Sequence, residues 1–215
     1  MQKIFLLLVT ACLFLSFSGT SGRENRDLIR VLLISGKNNH EWQKTSPLFA
    51  RIMEEDGCFK VTVTERPDTL KAVDLKTHKV IVSNWNAFPE SSRQWGETAE
   101  KAIMDFVNGG GGFVLFPAAG ASHYDWPEYQ EMVGATWGKN TRHGAIETFE
   151  VKVADHRRDQ DEPVVICRKQ RKGRCFYLVL GHDETAMKNP DWKMLIRRGT
   201  EWAATGKVMK SRKKK

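Results

Sequence analysis

The 215-residue sequence lacks most of the signatures that would name a chemistry directly. No CxxC pair and no Cys/His zinc-finger spacing occurs. There is no P-loop: Gly109 to Gly112 lacks the Lys-Ser/Thr pair and precedes a strand pattern rather than a helix. No GxSxG elbow is present. His40-Glu41 begins an HExxH zinc motif, but Lys44 stands where the second histidine belongs. Internal repeats are missing, and only one long apolar run exists. Cysteine is scarce. Cys58, Cys167 and Cys175 follow the N-terminal region as an odd set, with Cys167 and Cys175 flanking the turn around Gln170–Gly173. A disulfide across that hairpin and buried free thiols both remain open, since sequence does not fix pairing geometry.

The one apolar run is N-terminal. Lys3 precedes Ile4 to Phe17, and small and polar residues lead to Gly22. A charged start, a short apolar core and a small-residue exit describe a secretory signal peptide over residues 1–22. The run is short for a membrane anchor, which takes about 20 residues. The expectation is therefore an exported protein, periplasmic or secreted. About 190 residues remain, the size of one domain.

The net charge of +8 is unevenly placed. Lys207, Lys210, Arg212, Lys213, Lys214 and Lys215 lie in a basic tail over residues 207–215. The rest of the mature chain is close to neutral. Such a tail reads as solvated and disordered. It suits weak contact with an anionic membrane surface, but it has no interleaved aromatics for stacking on nucleic-acid bases.

Arg30 to Ser35 is a continuous apolar run of the kind that forms a buried parallel strand. Ser46 to Asp56 has helical spacing and ends at Gly57. Phe59 to Thr64 and Lys79 to Asn84 read as strands, Ser91 to Asn108 as a helix, and Phe113 to Phe116 as a fourth strand. Glu147 to Val153, Pro163 to Cys167 and Arg174 to Leu180 read as further strands. Asp191 to Ala204 reads as a closing helix with Met194, Leu195 and Trp202 inward. This alternation predicts an α/β fold with a mostly parallel sheet and helices on both faces.

In such sheets ligands bind outside the carboxyl ends of the strands. The segments there are residues 36–42, 84–86, 117–126 and 181–183, with Arg142-His143-Gly144 able to fold over the same edge. His40, His143 and His182 are the candidate catalytic residues, because imidazole exchanges protons near neutrality. Asn39, Trp42, Asn84, Trp85, Trp126 and Asp183 are the candidate substrate-binding residues. Tryptophan beside polar groups suits a sugar, whose C–H face stacks while its hydroxyls need partners. No cofactor is identified. A divalent metal stays open, since three histidines hold zinc only if their loops converge.

Several of these motifs combine. Gly36-Lys37-Asn38-Asn39-His40-Glu41-Trp42, Phe106 to Val114, Asp125-Trp126-Pro127-Glu128-Tyr129, Arg142-His143-Gly144, Gly173 to Tyr177, Leu180-Gly181-His182-Asp183 and Gly199 to Ala204 follow in order. In that order the chain resembles the ThuA-like family, named for trehalose utilisation, over residues 28–206. The resemblance implies a flavodoxin-like, class I glutamine amidotransferase-like fold and a carbohydrate context. It also implies no nucleophilic cysteine, in keeping with Pro117-Ala118-Ala119-Gly120 after the fourth strand. One departure stands out. The longer segment with His-Pro-Ile and Asp-Glu-Leu-Tyr motifs that family members carry before the last strands is replaced by a short charged connection, residues 154–162. The expectation is an exported protein acting on, or binding, a small carbohydrate such as trehalose or a related glycoside. The rival readings are a non-catalytic carbohydrate-binding protein and an envelope interaction protein.

Overall fold

The computed structural model describes residues 28–90, 93–138, 141–144, 150 and 163–208. The signal segment, most of the basic tail, the charged connection and the strand expected over Glu147–Val153 lie outside the described residues, Glu150 and the tail's first two residues excepted. No helix among the described residues is long and apolar enough to cross a membrane.

Six strands form one sheet: β1 (Ile29–Ile34), β2 (Phe59–Thr64), β3 (Val80–Ser83), β4 (Gly112–Leu115), β5 (Val165–Gln170) and β6 (Gly173–Leu178). Their spatial order is β2-β1-β3-β4-β6-β5. All pairings are parallel except the β5–β6 hairpin. The five parallel strands thus have the 2-1-3-4-5 order of a flavodoxin-like sheet, with an antiparallel strand added at one edge. The helices are α1 (Trp42–Glu54), α2 (Ala72–Leu75), α3 (Glu97–Asn108), α4 (Pro127–Val133), α5 (Glu184–Lys188) and α6 (Pro190–Thr205).

Both faces of the sheet are covered, which is why the central strands read as continuous apolar runs. Side chains alternate between two cores. Leu32, Ile34, Ile81, Phe113, Leu115 and Cys175 pack with Ala99, Ile103 and Val107 of α3 and Tyr129 of α4. Val31, Leu33, Val80, Val82, Val114 and Phe176 pack with Leu48, Phe49 and Ile52 of α1 and Ile196 of α6.

Several boundaries and faces differ from expectation. The first helix begins at Trp42 rather than Ser46 and carries Pro47 inside it. Proline there has no N–H to give the Gln43 carbonyl, and because Gln43 and Pro47 are both exposed, solvent can satisfy that carbonyl. The third helix starts at Glu97, after Gly96 at φ 81°, not at Ser91. In α6 the buried stripe is Trp192, Ile196, Gly199, Thr200 and Ala203. Met194, expected inward, is 41% exposed. Met194 stands two residues from both Trp192 and Ile196, about half a turn away, and so falls on the opposite side of the helix. Cys167 and Cys175 form no disulfide. Cys175 is paired with Arg168, and Cys167 with Phe176. The one-residue offset puts the two thiols on opposite faces of the sheet. Cys167 is accordingly exposed, while burial pushes the Cys175 thiol well above its ordinary pKa.

Close approach of α6 to β4 gives a direct test of this packing. A Cβ built on Gly112 would lie 2.6 Å from the Ala203 backbone carbon. Gly112→Ala should lower the unfolding free energy by roughly 1–3 kcal/mol, the usual cost of overpacking. Urea denaturation showing an unchanged midpoint would mean that α6 does not sit on β4 in this way.

Candidate functional site

The order 2-1-3 makes β1 and β3 the switch point, where the loop after β1 leads to α1 on one face and the loop after β3 leads to α3 on the other. Gly36 ends β1 with φ 98°, and a Cβ there would meet the Glu65 carbonyl at 2.7 Å. The chain turns tightly and presents residues 37–41 at the sheet edge.

Two asparagines stitch the diverging loops together. Asn84 is buried, and its Nδ2 donates to Thr45 Oγ1 at 3.0 Å and Ser46 Oγ at 2.9 Å in α1. Asn38 Nδ2 in turn donates to the Asn84 backbone carbonyl at 2.7 Å. Asn38 Oδ1 then accepts from the His40 backbone N–H at 2.8 Å. Asn86, also buried, donates to Asn39 Oδ1 at 2.7 Å and to the Ala118 carbonyl at 2.8 Å. A hydrogen-bonded chain thus runs from the core to His40.

His182 arrives from the end of β6. Gly181 has φ 102°, and its missing Cβ makes room for the Trp192 indole, whose Nε1 donates to the Leu180 carbonyl at 2.8 Å. The rings of His40 and His182 lie 4.0 Å apart, and those of His143 and His182 lie 5.2 Å apart. The three candidate catalytic histidines therefore meet, from three separate segments. Asn38, Asn39, His40, Glu41, His182 and Asp183 line a cleft of about 370 Å³. His40 is half-buried, while His143 and His182 are exposed. Burial, with His182 and His143 alongside, lowers the His40 pKa to about 4 against a smaller opposing effect from a hydrogen bond with the His182 backbone. At neutral pH His40 is thus an uncharged imidazole able to accept a proton.

The carboxylates of the cleft are engaged. Glu41 holds Lys44 at 2.6 Å. Asp183 Oδ1 accepts from the Ala186 N–H at 2.8 Å and caps α5. Among the described residues no three His, Cys, Asp or Glu side chains are arranged to hold a metal ion.

The aromatic candidates divide. Trp42 stands half-buried on the first turn of α1. Trp85 and Trp126 are only 4% and 3% exposed and do not line the cleft. They pack around His123, which is 1% exposed, together with Trp95 and Tyr129. The role expected of Trp85 and Trp126 beside the histidines is corrected by this burial: neither lines that cleft. Asn84 likewise serves as a buried strut rather than a ligand contact. The aromatic residue that does reach the histidines is Trp137, 4.7 Å from His143 between ring centres. The Trp137 backbone N–H donates to the Gly120 carbonyl at 2.8 Å, which ties this residue to the loop after β4. Sequence reasoning passed over Trp137. Its signal was a tryptophan outside the helical pattern, just beyond the glycine that ends α4.

A flavodoxin-like α/β domain with a polar cleft at its switch point, and no cysteine in that cleft, defines the class of protein. The chain belongs to the ThuA family, that of trehalose utilisation: the family model matches residues 30–160 and 148–203. Two solved structures are similar. A ThuA-like protein from Parabacteroides merdae ATCC 43184 has a TM-score of 0.69 at 22% identity, covering 86% of this chain and 92% of its own. A ThuA-like protein from Bacteroides uniformis ATCC 8492 has a TM-score of 0.56 at 15% identity, covering 84% of this chain and 94% of its own. These likenesses bear on the fold. No functionally curated protein matches the sequence.

The aromatic box around His123 makes a stability prediction. Neither ring nitrogen of His123 has a hydrogen-bond partner, and burial lowers its pKa to about 3. The unfolded chain binds this proton near pH 6.5, the folded chain only near pH 3. Stability from neutral His123 is therefore present above pH 6.5 and lost as pH falls towards 3. In His123→Phe the slope of stability against pH between about 6 and 4 should be shallower by about 1.4 kcal/mol per pH unit, one proton's worth. Equal slopes in urea titrations of the two proteins would contradict the buried neutral imidazole.

Proposed function

We propose that this chain is an exported protein of carbohydrate metabolism that binds a small sugar in the His40–His143–His182 cleft and moves a proton on it. The observation that carries this reading is the 4.0 Å approach of His40 and His182 from different strand ends, at the edge where α/β sheets bind ligands. The family's connection with trehalose utilisation supports a glycoside as the ligand. Residues 1–22 support export, and the basic tail supports weak contact with an anionic membrane surface.

The division of roles follows from charge and exposure. Neutral His40 accepts a proton from a bound sugar hydroxyl. His40 passes that proton to His182, 4.0 Å away between ring centres, which releases it to solvent or back to the sugar, and His143 polarises the same region. Asn39 and Asp183 offer hydrogen-bonding groups at the cleft, and Trp137 with Trp42 supplies aromatic surface. The superfamily's glutaminase chemistry has no support here: Pro117–Gly120 forms a tight 3₁₀ turn with no thiol.

The engaged Glu41 and Asp183 favour a second reading, a carbohydrate-binding protein without turnover. Calorimetry showing trehalose binding with no product would select it.

Catalysis by a neutral His40 has a distinctive pH dependence. The base is lost only as pH falls through about 4. The acid limb of kcat/KM on a trehalose-type substrate should lie near 4, and His182→Ala should lower kcat by about 10²-fold or more, the usual range for a general acid or base. An acid limb near 6.5, or equal rates in wild type and His182→Ala, would remove these roles.

A further inference from the structure

A second cavity, of about 350 Å³, lies along α3 beside the start of α4 and shares no lining residue with the histidine cleft. Arg93, Glu97, Glu100, Lys101, Trp126 and Glu128 are among the residues that line it. Glu100 is 3% exposed. Its Oε1 is buried and has no hydrogen-bond partner. Its other oxygen accepts only a long contact from Arg93 Nη1, at 3.4 Å. Arg93 reaches Glu128 at 4.0 Å and spreads its guanidinium over the Trp126 ring at 5.4 Å. Lys101 is turned away to Asp105.

An orphaned carboxyl oxygen in such a place is costly, because it has given up water without gaining a partner. Burial raises the Glu100 pKa, Arg93 opposes this, and Asp125 and Glu97 reinforce it. A core glutamate without a ligand would be better as glutamine or methionine. Glu100, which carries the unpartnered acceptor, and Arg93, a donor, line the same space. A cation entering it would meet Arg93, and an anion would meet Glu97, Glu100 and Glu128. A neutral molecule bearing adjacent hydroxyls satisfies both sides: one hydroxyl donates to Glu100 Oε1, and a neighbouring oxygen accepts from Arg93. We propose that this cavity is a second binding site, for a small neutral polyhydroxylated molecule held between Glu100 and Arg93.

The site is tested independently of the histidine cleft by titrating the full-length protein with glucose and with trehalose, following heat of binding and tryptophan fluorescence, since Trp126 lines the cavity. Wild type and His182→Ala should both bind at this site. Glu100→Gln and Arg93→Met, each placed in the His182→Ala background, should bind at least tenfold more weakly than His182→Ala, with circular dichroism unchanged. Glu100→Gln should unfold at the same temperature as wild type or higher in the absence of sugar, because the substitution removes an unpaired carboxyl. Binding lost in His182→Ala but intact in Glu100→Gln and Arg93→Met would place the sugar in the histidine cleft alone and overturn the proposal. No binding of either sugar to wild type, or a lower unfolding temperature in sugar-free Glu100→Gln, would also overturn it, the latter by giving Glu100 a structural role.

Discussion

The buried amide of Asn84 is the constraint on which the candidate site depends. At the switch point β1 and β3 run side by side, but their following loops leave for opposite faces. Something must hold the gap. Asn84 does so with four hydrogen-bonding contacts, to Thr45, Ser46 and the Asn38 side chain, all in or before α1. The Ser35–Ser46 hydroxyl contact at 2.6 Å closes the same network. Low local dielectric strengthens such a network when every member is paired and makes a broken one expensive. His40 inherits its position from this arrangement, because its backbone N–H is bound by Asn38.

Around that strut the fold contributes in layers. Small residues of α6 let it lie close against β4 and β6, and that contact brings Trp192 to the end of β6, where it fixes the turn before His182. The chain after α4 is tied to the loop after β4 through Trp137. Three peripheral segments thus converge on one edge, each anchored by a hydrogen bond to the core rather than by contacts among the histidines. The histidine rings themselves contribute a constraint of a different kind. Their crowding and partial burial keep His40 unprotonated, so the same geometry that defines the cleft also sets its proton affinity.

Much of the architecture was legible because buried parallel strands leave a continuous apolar trace. Arg30–Ser35 and Phe113–Phe116 appeared as strands, and the ordered alternation pointed to the right sheet. The gathering of His40, His143 and His182 was legible only as a rule about strand ends. The place of Trp85 was misread for a physical reason. Ile81 and Trp85 lie four residues apart along an extended chain and share a core, so the alternation of β3 continues past its last paired residue. That continuation puts Trp85 under α3 and Asn84 towards α1. A polar loop suggested a pocket, whereas period two already assigned the sides. Met194 failed similarly: hydrophobicity suggested the inward face of α6, but Trp192, Ile196, Gly199, Thr200 and Ala203 occupy it, and Met194 lies about half a turn away from them.

The central claim is that the histidine cleft at the switch point is where sugar chemistry takes place. Histidine-selective NMR of the protein during titration with trehalose addresses it most directly. The account predicts that the His40 and His182 ring resonances move together on sugar addition, that His40 reports a neutral ring at pH 7, and that buried His123 stays in place. Sugar binding that leaves His40 and His182 unmoved, or a His40 ring that is protonated at pH 7, would contradict it.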